Sequence, residues 1–136
     1  MSIDENKATV RDFLACFDRG DVEGALSRMT DDCSWWIAGK PDMFALASTK
    51  SKMEMTELLG QLVPGMKDGL KMTIKGLTAE GERVAAEVES LGEIEGGPTY
   101  NNEYHFLFIV QDGKIAAVKE YLDPMETARF LAALGG

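Results

Sequence analysis

Three glutamates have the type and spacing for proton chemistry. Glu87 and Glu89 alternate within residues 83–94 (RVAAEVESLGEI), and Glu120 follows an apolar run within residues 114–123 (KIAAVKEYLD). Side chains two apart on a strand share a face, so Glu87 and Glu89 point the same way. Three carboxyls facing one apolar cavity could not all ionise cheaply. Desolvation and mutual repulsion would raise at least one pKa, and a carboxyl tuned in that way serves as general acid or base near neutral pH. The plainer alternative places Glu87 and Glu89 on a solvated strand end. Asn102 and Tyr104 alternate within residues 100–111 (YNNEYHFLFIVQ). They can orient a substrate carbonyl or hydroxyl, or bond to the glutamates as a structural network. Trp35 offers a flat apolar wall for a ring-shaped ligand, or plain core.

Other chemistries find less support. His105 is the only histidine, and a lone histidine is weak ground for a metal site. Cys16 and Cys33 are too few for a disulfide framework and read as buried free thiols. Gly96 and Gly97 sit in a turn between strands, not before a helix, so no phosphate loop is present. No metal and no cofactor is expected. Met43, Met53 and Met55 lie near one another in sequence and read as core, with an adaptable lid as the alternative.

The elements that must position these residues follow from periodicity. Val10, Phe13, Leu14 and Phe17 recur at helical spacing in residues 5–20, with Gly20 as the stop. Asp21 suits the N-cap of a short second helix. Residues 33–38 (CSWWIA) read as a strand entered after Asp31-Asp32, and residues 40–48 as a loop. Thr49 or Ser51 caps a third helix reaching about Leu62. Residues 70–78, 83–94, 100–111 and 114–123 then alternate as four strands joined by turns. Asp112-Gly113 is the strongest of these turn signals. Pro124 opens a short final helix ending at Gly135. The order predicts an α+β fold: a curved, mostly antiparallel sheet packed against three N-terminal helices, with a short C-terminal helix.

The chain of 136 residues suits one domain over residues 1–136. Its net charge of -9, from 14 basic and 23 acidic residues, disfavours duplex nucleic acid and anionic membrane surfaces. The polar opening Met1 to Lys7 is not followed by an apolar run, and no stretch approaches a spanning helix. A cytoplasmic protein is expected.

With Asp31-Asp32, Trp35-Trp36, the alternating Tyr100, Asn102 and Tyr104, the hairpin Asp112-Gly113-Lys114-Ile115 and the ending Glu120-Tyr121-Leu122-Asp123, the chain resembles the nuclear transport factor 2-like superfamily. Within it, the chain looks most like the SnoaL-like, limonene-epoxide-hydrolase-like and ketosteroid-isomerase-like members. The resemblance implies a cone-shaped fold and says which face of each strand turns inward. It puts Trp35, Ile37, Asn102, Tyr104, Glu120 and Leu122 in the pocket. Counting back across the Gly96-Gly97-Pro98 turn, it adds Glu87, Glu89 and Leu91, and the first helix adds Phe17. Val84, Val88, Leu107, Ile109 and Tyr121 would then form the outer face, with His105 among them, and would pair two copies as a homodimer.

The superfamily hosts many chemistries. Limonene-epoxide hydrolases use an Asp-Arg-Asp arrangement at the positions of Glu120, Glu87 and Glu89, so Glu87 in place of Arg inverts the charge logic. Their water-positioning Tyr and Asn fall on Trp35 and Ile37. Ketosteroid isomerases need a Tyr on the first helix and an Asp on the first strand, where this chain has Phe13, Phe17, Trp36 and Ile37. SnoaL-like cyclases need mainly one carboxyl in an apolar pocket. The expectation is a small cofactor-free enzyme acting on a hydrophobic, cyclic molecule by isomerisation, cyclisation or dehydration. Glu120 shuttles the proton and Glu87 or Glu89 tunes it. The alternatives are a non-catalytic binding module and a structural dimer whose cone is filled by Phe13, Phe17, Trp35 and Phe106.

Overall fold

The computed structural model describes residues 1–135. Its elements run α1 (Ile3–Asp18), α2 (Val22–Ser27), β1 (Met29–Ile37), β2 (Ser48–Ser51), α3 (Lys52–Leu62), β3 (Met66–Glu80), β4 (Arg83–Ile94), β5 (Thr99–Gln111), β6 (Lys114–Leu122) and α4 (Pro124–Gly135). Local chemistry sets the starts. Ser2 and Glu5 exchange side-chain to backbone hydrogen bonds of 3.0 Å at the head of α1. Ser51 and Glu54 do the same for α3, each pair satisfying backbone donors the helix leaves free. Asp21 accepts from the Gly24 N–H at 2.8 Å to cap α2. Asp112 (φ 50°) and Gly113 (φ 78°) supply the two left-handed residues of a tight hairpin between β5 and β6.

The six strands form one sheet in the order β2-β1-β6-β5-β4-β3. Among the described residues only β1 and β6 run parallel. The α+β class and the curved sheet with helices follow the expectation from sequence. Three segments differ. Strand β1 begins at Met29, four residues early, because a register shift between Met29 and Ser34 absorbs Asp31-Asp32 into it. Residues 48–51 pair with β1 as the edge strand β2. Strand β3 begins at Met66 and kinks at Asp68 (φ 59°) and Gly69 (φ 84°), where its register with β4 also shifts.

The register of β4 corrects the sequence reading. Val88 stands opposite Tyr104, and Ser90 opposite Asn102. The connection, residues 94–98, has an odd number of residues between the paired Glu93 and Thr99. An even count would have paired the glutamates with Tyr104 and Asn102, and a slip of one residue turns every side chain to the other face. Val84, Ala86, Val88 and Ser90 therefore turn inward and are buried. Glu87, Glu89 and Leu91 turn outward, Glu87 beside His105 and Glu89 beside Glu103. Leu107, Ile109, Tyr121 and His105 lie on the outer face as expected, and Val84 and Val88 do not.

Helix α1 covers the inner face with Val10, Phe13, Leu14 and Phe17, all 2% exposed or less. Phe13 makes edge contacts with Phe17 and Phe108 at ring distances of 5.4 and 5.8 Å, closing the narrow end of the cone. No helix among the described residues is long and apolar enough to cross a membrane.

The kink in β3 docks the end of α1. The Met72 N–H donates to Asp18 Oδ1 at 2.6 Å, and Lys71 Nζ donates to the Asp18 carbonyl at 2.8 Å, a cation placed where the helix presents unpaired carbonyls. A Cβ on Gly69 would lie 2.6–2.7 Å from the Gly20 nitrogen and the Asp18 and Phe17 carbonyl oxygens, all backbone. Gly69→Ala should therefore lower the unfolding free energy by more than about 2 kcal/mol. Urea denaturation checks this, and an unchanged midpoint would show that helix and strand are not in fixed contact there.

Candidate active site

Strand β6 alternates Val118, Glu120 and Leu122 toward the inner face. Its register sets Glu120 opposite Phe106, Leu122 opposite Tyr104, and Glu120 beside Ile37 of β1. A cavity of about 90 Å³ opens there, between the inner face of the sheet, the end of α1, and helices α3 and α4. Phe17, Trp35, Ile37, Tyr104, Glu120 and Leu122, all expected at the pocket, line it. Leu58, Leu59 and Leu62 of α3 and Phe130 and Leu131 of α4 form the helical wall. The cone is thus filled by aromatics at its narrow end and open behind them.

Glu120 is the one carboxyl among the described residues that line the cavity. Its Oε1 accepts a hydrogen bond of 2.8 Å from Trp35 Nε1, and no protein donor among the described residues reaches Oε2. The residue keeps intermediate accessibility because it fronts the cavity rather than packed protein. Its carboxyl is nevertheless removed from bulk water. That desolvation raises its pKa from 4.5 to about 7, and the Trp35 hydrogen bond opposes the rise. A group poised there can give or take a proton near neutral pH.

Burial also raises the pKa of Tyr100, and that of Tyr104 strongly. Tyr104 stacks on Phe106 at 4.9 Å and 15°. Its hydroxyl donates to Tyr100 at 3.2 Å, so it serves the cavity as a wall. Asn102 lies behind that wall, 1% exposed and off the cavity. Its Oδ1 accepts from the Glu103 and Asp123 N–H groups at 2.7 and 3.1 Å. Its Nδ2 reaches Tyr100 Oη, Thr127 Oγ1 and the Asp123 carbonyl at 2.8, 3.0 and 3.1 Å. That is the structural network among the alternatives, and its partners are not the glutamates.

The structure does not bring Glu87, Glu89 or Leu91 to the cavity. Glu89 pairs with Lys75 at 3.3 Å and accepts from Asn101 Nδ2 at 3.0 Å. The Asn101 bond first, and Lys75 second, hold its pKa below the usual value. Tyr100, Ser90 and Thr127 are the polar residues the sequence reading missed. Tyr100 shares the parity of Asn102 and Tyr104. Thr127 shares a helix face with Phe130 and Leu131, three and four residues on, and that spacing was its signal.

The α+β cone is the fold of a nuclear transport factor 2-like protein. Residues 10–118 match the SnoaL-like domain family, and the chain belongs to it. UPF0523 protein B of Dictyostelium discoideum is 32% identical over an alignment of 121 residues that covers 82% of this chain and 72% of that one. An NTF2-like protein of Burkholderia xenovorans LB400 superposes with a TM-score of 0.70 at 28% identity, covering 96% of this chain and 98% of that one. An LEH-like epoxide hydrolase of M. tuberculosis superposes with a TM-score of 0.75 at 21% identity, covering 98% and 94%. The last likeness concerns the fold alone.

The raised pKa of Glu120 fixes the sign of a pH effect. Below about pH 4.5 the carboxyl is neutral folded and unfolded. As pH climbs toward 7 the unfolded chain ionises and the folded one resists, so the wild type loses roughly 3 kcal/mol of stability across that window. Glu120→Gln removes the loss and should gain on the wild type from pH 4.5 to 7. Thermal unfolding against pH checks this, and parallel curves would place Glu120 in water.

Proposed function

We propose that the protein is a cofactor-free acid/base enzyme that acts on an uncharged, cyclic and largely apolar molecule by isomerisation, cyclisation or dehydration. The observation that carries this reading is Glu120, a lone carboxyl with a pKa of about 7 facing an apolar cavity. Such a group can protonate one substrate atom and deprotonate another in a single turnover, with no second ionised partner. Trp35 acts as a positioning residue: its 2.8 Å bond holds Oε1 and leaves Oε2 toward the substrate. Phe17, Ile37, Tyr104 and Leu122 supply the apolar walls. With Glu87 and Glu89 outside, burial and Trp35 set the pKa.

The corrected register also bears on epoxide hydrolysis. Strand β4 turns Ala86, Val88 and Ser90 inward, so it sets neither a second carboxyl nor a guanidinium against Glu120. Hydrolysis by a carboxyl pair bridged by arginine has no counterpart in this cavity, whereas transfer of one proton does.

The test follows a single proton. In deuterated buffer, 3-cyclohexenone should exchange its α-hydrogens and shift its double bond into conjugation faster with the wild type than without it. Glu120→Gln should lower that rate by about 10²-fold or more, and the rate should inflect near pH 7. Trp35→Phe removes the bond that lowers the pKa, so the inflection should move to higher pH. No acceleration by the wild type, or a full rate in Glu120→Gln, overturns the proposal.

The same reading includes a homodimer formed through the outer sheet face. Trp36 and Tyr121 pack edge to face there at 5.1 Å, and Tyr121 remains 45% exposed. Sedimentation should give twice the chain mass for the wild type and the chain mass for Tyr121→Arg. A monomeric wild type would remove the dimer from the reading.

A further inference from the structure

The hydroxyls behind the cavity form a chain with one direction. The Asn102 N–H donates to Ser90 Oγ at 3.3 Å. Tyr104 spends its hydrogen on Tyr100 at 3.2 Å, so Ser90 is the donor in the 3.0 Å contact with Tyr104. Tyr100 Oη accepts from Tyr104 and from Asn102 Nδ2. Its lone pairs are occupied, so its own hydrogen goes to Thr127 Oγ1 at 2.9 Å. The Asn102 amide has two hydrogens: one goes to the Asp123 carbonyl at 3.1 Å, and the one that reaches Tyr100 at 2.8 Å is shared with Thr127 Oγ1 at 3.0 Å.

The chain ends there. Thr127 accepts the Tyr100 hydrogen and a share of one Asn102 hydrogen, and its own hydroxyl hydrogen has no acceptor among the described residues. The residue is 6% exposed and lines the cavity. A buried donor left without a partner is costly, and the one space open to it is the cavity.

We infer that Thr127 is a ligand-binding residue whose hydroxyl donates to an uncharged oxygen acceptor, a ketone, ether or alcohol oxygen, on a molecule whose carbon skeleton fills the apolar cavity beside Glu120. Charge on the lining narrows the class. Among the described residues, no lysine, arginine or histidine faces the cavity, so a carboxylate or phosphate ester would enter without a counter-charge. This inference rests on the reading that the cavity takes a ligand, and it adds the polar handle of that ligand.

The experiment compares two probes of one shape, cyclohexanone and methylenecyclohexane, titrated into the wild type, Thr127→Val and Thr127→Ser and followed by NMR. The wild type should favour the ketone by roughly five- to tenfold, the effect of one added hydrogen bond. Thr127→Val should lose that preference and keep its affinity for the hydrocarbon, which also reports that the variant is folded. Thr127→Ser should retain the preference. Valine strands the buried Tyr100 hydroxyl, so a measurement on the wild type stands beside it: the Thr127 hydroxyl proton should move downfield with the ketone and not with the hydrocarbon. An equal preference in wild type and Thr127→Val, or an unmoved hydroxyl proton, overturns the inference and leaves the proton chemistry of Glu120 standing. Failure of both probes to bind overturns it together with the ligand cavity itself.

Discussion

The hydrogen bond from Trp35 to Glu120 joins the two conditions on which the cavity depends. A carboxyl in an apolar space is expensive when ionised and tolerable when neutral. One donor from an aromatic ring stabilises the ionised form a little without adding charge or admitting water. The result is a pKa near neutrality rather than far above it. The bond also requires that β1 and β6 lie side by side with both residues facing inward. The parallel pairing that sets Trp35 beside Val118 and Ile37 beside Glu120 meets that requirement. It is the one parallel pair in the sheet, and it brings a residue from the first third of the chain against one near its end.

A second constraint holds the opposite wall. Asn102 fixes both backbone groups of Asp123, the residue between β6 and α4, through its Oδ1 and Nδ2. The same side chain reaches Tyr100 and Thr127, so the last strand, the last helix and β5 share one polar junction. Junctions of this kind are high in energetic stake, because each buried partner is costly when left alone. Here every member but one is satisfied within the protein, and the exception faces the cavity.

Much of the fold is legible in the residues. Asp21 and Ser51 announce helix starts because their side chains satisfy free backbone donors, whereas the Ser2 cap starts the first helix two residues before the apolar pattern shows it. Asp112-Gly113 announces its turn because both positions need left-handed backbone. Measured from that hairpin, the inward placement of Tyr104, Glu120 and Leu122 is right. The early start of β1, the strand at residues 48–51 and the kink at Asp68-Gly69 depend on pairing with distant strands, which local pattern does not record. The placement of Glu87, Glu89 and Leu91 fails at a turn of uncertain length, where one residue decides everything.

That failure shows what enforces the register. The two candidate faces of β4 are not equal. One carries Val84, Ala86, Val88 and Ser90, and the other Arg83, Glu87 and Glu89 among its members. The inward set is the apolar one, so binary pattern alone favours the observed face over the one inferred by counting. The glutamates reinforce it from the other side. A slip that turned them inward would bring two more carboxyls to the cavity that already holds Glu120, with burial and repulsion opposing all three. Outside, Glu89 meets Lys75 and Asn101 in water. The charges that look like catalytic groups in the sequence thus oppose the slipped register, and their exclusion leaves one carboxyl alone to titrate in the cone.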